Sequence, residues 1–150
     1  MGFRIGAVRL DVGAEFKGIL LLGDERTGKS LAMKKVVMDL EKSGLTAIYS
    51  KDGITDDMKV AIKENVFAIQ KCPLYLVIDN AEKLDESFDI VGVINTGSSN
   101  QIAVILGYNF LAQVPDRVRN ACFTKFEFYF SKKERERLGL SYAGRGPRRK

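Results

Sequence analysis

The sequence has no histidine and no tryptophan, and only two cysteines and three prolines in 150 residues. Without histidine, the commonest general base and the commonest metal ligand drop out. Cys72 and Cys122 stand far apart, with neither C-x-x-C nor zinc-type spacing. They are expected to be buried thiols in a reducing compartment. No apolar run approaches the ~20 residues of a membrane span. The first residues carry Arg4, Arg9 and Asp11 in place of a signal-peptide core. These absences predict an intracellular, cytoplasmic protein with no membrane span.

What is present is a soluble globular balance, 45% apolar and 29% charged. The length suits one domain with a real core. We expect that domain over residues 1–138, with a basic, flexible tail over 139–150. The net charge of +5 is a modest preference for polyanionic partners.

One stretch organises the chain. Gly23, Asp24, Glu25, Arg26, Thr27, Gly28, Lys29 and Ser30 have the spacing G-x-x-x-x-G-K-[ST], the phosphate-binding loop. An apolar run at 18–22 before it reads as a buried strand. The stretch from Leu31 onward reads as a helix. Gly23 and Gly28 allow backbone conformations that turn N–H groups toward phosphate oxygens. The helix start adds the positive end of its dipole. Residues Gly23 to Leu31 are therefore the expected nucleotide cradle. Lys29 would reach the β- and γ-phosphates as a solvent-facing charge, and Ser30 would ligate Mg²⁺.

A strand or hairpin is expected before the phosphate-binding strand, with a turn at Gly13, Ala14 and Glu15. The helix after the loop carries Met33, Val36, Val37 and Leu40 on one face, and Gly44 stands where a cap belongs. A strand at 45–49 follows. Thr55 is the expected N-cap of a helix bearing Met58, Ile62, Val66 and Ile69. Residues 74–78 form an unbroken apolar strand ending in Asp79. A third helix is predicted from Leu84, Phe88, Val91 and Ile94, then a loop over 96–100. Residues 102–106 are another buried strand, ended by Gly107, Tyr108 and Asn109. Phe126, Phe128 and Phe130 alternate with polar positions and Tyr129, as a strand near a sheet edge does.

Alternating strands and helices predict an α/β domain with a mainly parallel sheet flanked by helices. Ligands of such sheets sit at the carboxyl ends of the strands. That rule gathers Lys29, Ser30, Ser50, Asp79 and Asn109 on one rim. Asp79 is placed to hold Mg²⁺. Hydrolysis also needs a group to handle water. Asn80 can orient water but cannot take its proton, whereas Glu82 or Glu25 could. Asn109 can touch the γ-phosphate or its attacking water.

With these endings placed, residues 18–129 resemble the FtsK–HerA superfamily of DNA-pumping ATPases. The likeness is to compact members encoded by viruses for genome packaging or virion morphogenesis, including zonula occludens toxin-like phage proteins. It rests on the pair formed by the phosphate loop and the Asp79 strand, and on the strand at 102–106 ending in a polar residue. It rests also on Pro115, Arg117 and Arg119 leading into a last strand at 123–130. The resemblance implies an additional-strand, RecA-like P-loop NTPase fold, with ATP and Mg²⁺ as cofactors. It also implies a homo-oligomeric ring, possibly a hexamer, around DNA, with one subunit's arginine completing its neighbour's site. Asn80 stands where the superfamily has Glu, and Asn109 where it has Gln. Ser98 stands where many members have an arginine, which leaves Arg117 or Arg119 for the trans role.

A small GTPase would need an Asn-Lys-x-Asp motif, which is absent. A nucleoside kinase would need an arginine-bearing lid, for which the connections are too short. An AAA-type replication ATPase remains a rival, as does a nucleotide-binding structural subunit with weak or no hydrolysis. The C-terminal run of Lys132, Lys133, Arg135, Arg137, Arg145, Arg148, Arg149 and Lys150 is expected to grip DNA through backbone phosphates.

Overall fold

The computed structural model describes residues 2–5, 8–11, 18–24, 27–122, 124–127 and 148–149. Its main sheet is built from β3 (Ile19–Leu22), β4 (Thr46–Ser50), β5 (Leu74–Ile78), β6 (Ile102–Tyr108), β7 (Thr124–Glu127) and β8 (Arg148–Arg149), in the order β4-β5-β6-β3-β7-β8. The first five run parallel, and β8 pairs antiparallel with β7. β1 (Gly2–Ile5) and β2 (Val8–Asp11) form the expected hairpin as a separate two-stranded sheet. Strands β3, β5 and β6 are buried along their whole length, which is why they read as unbroken apolar runs.

The sheet divides the interior in two. On one face, α1 (Lys29–Lys42) packs Met33, Val36 and Leu40 against Ile19, Leu21, Tyr75, Val77 and Ile105, with Ile5 of the hairpin. On the other, α2 (Asp56–Phe67), α3 (Ile90–Asn95) and α5 (Asp116–Ala121) cover Leu20, Leu76, Ile78, Val104 and Leu106. α1 ends in a Schellman motif. Gly44 N–H donates to Glu41 O and Leu45 N–H to Leu40 O, both at 3.0 Å, with Gly44 at φ +80°. Thr55 caps α2 as expected, its Oγ1 accepting from Met58 N–H at 3.2 Å.

Several expectations are corrected. The third helix begins only at Ile90. Asp85 accepts from Ser87 N–H, and Asp89 accepts from Gly92 N–H, each at 3.0 Å. These local bonds hold residues 84–89 out of a helix. Leu84, Phe88, Val91 and Ile94 still pack on the core, so their spacing reported burial without helix. The predicted loop at 96–100 contains a one-turn helix, α4 (Gly97–Asn100). On α2 only Met58 is buried. Val66 is exposed, and Ile69 lies beyond the helix end, fully exposed. Cys122 is buried as expected, but Cys72 is exposed in the connection before β5. Arg148 and Arg149 pair with Glu127 and Phe126 as β8. The expected turn at 13–15, Phe128, Tyr129, Phe130 and the basic residues from Lys132 to Arg145 lie outside the described residues, as does Lys150.

Candidate functional site

The site forms where β3, β5 and β6 end. Gly23 N–H donates to Tyr108 O at 3.0 Å, fastening the start of the loop to β6. Thr27 closes a turn on Asp24, its N–H and Oγ1 donating to the Asp24 carbonyl at 3.0 and 2.6 Å. Gly28 takes φ +87°, a left-handed backbone that glycine adopts freely, and α1 starts at the next residue. The first N–H groups of α1 have no partner within the helix.

Lys29 Nζ donates to Asp79 Oδ1 at 2.9 Å and to Asn109 Oδ1 at 3.4 Å. Ser30 Oγ donates to Asp79 Oδ2 at 2.5 Å. Asn80 N–H adds a third bond to the Asp79 carboxylate, at 2.9 Å. Lys29 and Asp79 are 1% and 2% exposed. This corrects the solvent-facing lysine expected from the sequence. The reason lies in the strand between them. At Gly107 a Cβ would stand 2.9 Å from Asp79 Oδ1 and 2.7 Å from Met33 Sδ. Glycine there leaves room for the Asp79 carboxylate to cross β6 and meet Lys29. The phosphate loop gave no hint of Gly107, and the sequence offered only its place after an apolar strand.

Tyr49, at the end of β4, borders the same carboxylate. Burial, and then the negative charge of Asp79, hold its phenol above the usual range. Ser50 is buried, and its carbonyl accepts from Asp79 N–H at 2.8 Å. The five rim residues expected from the strand endings are thus brought together.

The remaining candidates fall elsewhere. Asn80 sits at φ +49° and turns its amide away from Lys29, donating to Lys51 O at 2.8 Å and to Asp52 Oδ1 at 3.0 Å. Lys83 also reaches Asp52, and these hydrogen bonds hold that carboxyl below its usual range. Glu82 is exposed on the turn at Ala81–Lys83 and lines a neighbouring cavity with Tyr108 and Arg117. Arg119 spends its guanidinium locally, on Leu111 O at 3.4 Å and Asp116 at 3.8 Å. Arg117 is exposed on the same helix. Leu31 and Asp24 are exposed beside the loop. Glu25 and Arg26 lie outside the described residues. Gln113 is a residue the sequence did not single out. Its Oε1 accepts from Asn109 N–H at 3.0 Å and fixes the backbone of the residue that touches Lys29.

Among the described residues no three His, Cys, Asp or Glu side chains gather as a metal cluster. A magnesium site of the phosphate-loop kind needs fewer, because water and phosphate fill the other positions. Ser30 Oγ and the Asp79 carboxylate are adjacent hard oxygens and fit that ion.

This sheet order puts β6 between the strand before the phosphate loop and the strand ending in Asp79. With the lysine–serine–aspartate centre at its carboxyl edge, it defines a P-loop NTPase fold of the additional-strand type. The same fold is found in the DNA-packaging ATPase B204 of Sulfolobus turreted icosahedral virus, at a TM-score of 0.57 and 14% identity over 83% of this chain and 81% of that one. It is found in the N-terminal domain of zonular occludens toxin from Neisseria meningitidis, at 0.52 and 14% over 78% of each. It is found also in the replication initiator DnaA bound to AMPPCP and single-stranded DNA, at 0.54 and 17% over 89% of this chain and 49% of that one. The first two are of the types that the sequence resembles. At these identities the likeness establishes the fold. No family model matches the chain, and no curated protein matches it.

Proposed function

We propose that the chain is a Mg²⁺-dependent P-loop ATPase that works on DNA as a genome-packaging or translocating motor subunit in a homo-oligomeric ring. One observation carries the ATPase reading. Lys29, Ser30, Asp79 and Asn109, from three separate places in the chain, meet within hydrogen-bonding distance at the N-terminus of α1. That is the set needed to neutralise a triphosphate, hold its metal and sense its γ-phosphate. Lys29 would turn from Asp79 to the phosphates of a bound nucleotide, and Ser30 and Asp79 would then hold the ion. The fold is shared with B204 proteins solved with ATP-gammaS, AMP and AMPPCP. The DNA role rests on that likeness and on the basic C-terminal run.

Glu82 is the proposed proton acceptor. It is an exposed side chain on a single turn, so rotation about its own bonds decides how near it comes to the attacking water. Arg117 is the stronger trans candidate, since Arg119 is held by the Leu111 carbonyl and Asp116. The engagement of Asn80 with Lys51 and Asp52 favours slow turnover, the second reading.

Nucleotide binding and ATP turnover, each with and without duplex DNA, test the proposal. Lys29→Ala should abolish binding. Glu82→Gln should lower kcat by about two orders of magnitude with affinity unchanged. Normal turnover in folded Lys29→Ala would sink the ATPase reading. A silent Glu82→Gln would remove Glu82 from the chemistry.

A further inference from the structure

Successive residues at the end of β6 face opposite sides of the sheet. Gly107 opens toward Asp79 and Met33, whereas Tyr108 belongs to the core under α3 and α5. There Tyr108 borders a cavity of about 290 Å³ that adjoins the nucleotide site at Glu82 and Gln113. Tyr108 is 1% exposed, yet its hydroxyl has no hydrogen-bond partner among the described residues. The hydroxyl is not sealed in protein but opens onto this cavity, where a ligand group can pair with it. Burial pushes this phenol up to about 12, so it stays protonated and can both donate and accept. Around it stand Glu82, Asp85 and Glu86, three carboxylates against the single guanidinium of Arg117, with Gln113 beside them. The Ser87 N–H holds the Asp85 carboxyl below its usual range, keeping it charged. Phe88 and Pro115 supply apolar walls.

We propose that this cavity is a second ligand site, and that it takes a guanidinium or ammonium group. The carboxylates supply the charge complement, the Tyr108 hydroxyl and Gln113 carbonyl supply acceptors, and the walls suit a planar cation. The group comes either from an arginine or lysine of a second copy of this chain or from a free amine. Occupancy is felt at the nucleotide site, because Gln113 also holds the Asn109 backbone.

The test is an NMR titration of the full chain with ethylguanidinium, against sodium chloride at matched ionic strength. ATP is left out, so the outcome does not depend on the ATPase reading. The Tyr108 ring and Gln113 amide signals should shift and saturate. Tyr108→Phe and Asp85→Asn should each weaken binding, by about ten-fold where a hydrogen bond to a charged group is lost. Asp85 is on the rim, so its variant keeps the test alive should Tyr108→Phe fail to fold. Shifts no different from those in salt, or affinities unchanged in both variants, would overturn the proposal. Sedimentation separates the sources. Self-association that ethylguanidinium reverses assigns the group to a second copy, and a monomer whose same signals respond to putrescine assigns it to a free amine.

Discussion

Lys29 and Asp79 hold each other across the end of β6, both almost fully buried. A buried pair is weak evidence of net stability, because desolvation offsets the attraction. Breaking it from one side is another matter. Lys29→Met should cost about 3–5 kcal/mol, since it leaves a carboxylate buried without its cation. Lys29→Met with Asp79→Asn should recover most of that loss. Urea unfolding of the ligand-free proteins, with Asp79→Asn alone as the fourth corner, measures both, and a double-variant loss equal to the sum of the two single losses would show the pair to be uncoupled. The sequence named both residues through their motif spacing. It could not show that they would turn to each other, because that depends on space above a strand lying between them.

At the scale of the element, β6 is where site and fold are joined. Gly107→Ala would drive a Cβ into Asp79 Oδ1 and Met33 Sδ. The thioether can move, but the carboxylate is held by Lys29, Ser30 and the Asn80 N–H. We expect the variant to fold with an intact far-side core and to bind nucleotide at least about ten-fold more weakly, a 1.4 kcal/mol effect. Equilibrium nucleotide binding checks it, and wild-type affinity would mean the crossing tolerates a methyl group. The strands and α1 were legible because each buried element repeats a simple period and ends in turn chemistry. The start of α3 was not. Apolar spacing at Leu84, Phe88, Val91 and Ile94 records which residues meet the core, whereas Asp85 and Asp89 decide which backbone is helical. Asn80 was misplaced for a similar reason, as its left-handed backbone turned the amide toward Asp52.

At the scale of the molecule, the sheet separates two cores, and the one under α3 and α5 holds titratable groups at its margin. Burial pushes the Cys122 thiol from 9.0 up to about 12, and the Tyr108 phenol from 10.0 up to about 12. Above pH 9 the unfolded chain releases the thiol proton while the folded chain keeps it. The folded state then binds more protons, so stability falls as pH rises toward 12. The slope is about 1.4 kcal/mol per pH unit for each group in its window. Urea midpoints should hold steady between about pH 7 and 8 and decline above 9, and Cys122→Ala should delay the decline until the phenol begins to titrate near 10. A midpoint that stays level to pH 11 would contradict the burial of both groups. The order of strands was legible at this scale from the resemblance, and the exposure of Cys72 was not, since no pattern marks the face of an irregular connection. The alternation at the end of β6 carries a last consequence. Residue 107 serves one side of the sheet and residue 108 the other, so that strand can change in composition but not in parity. Deleting one residue within it would exchange the two faces. A phenol would then stand where the aspartate crosses, and the cavity would lose its hydroxyl in the same step.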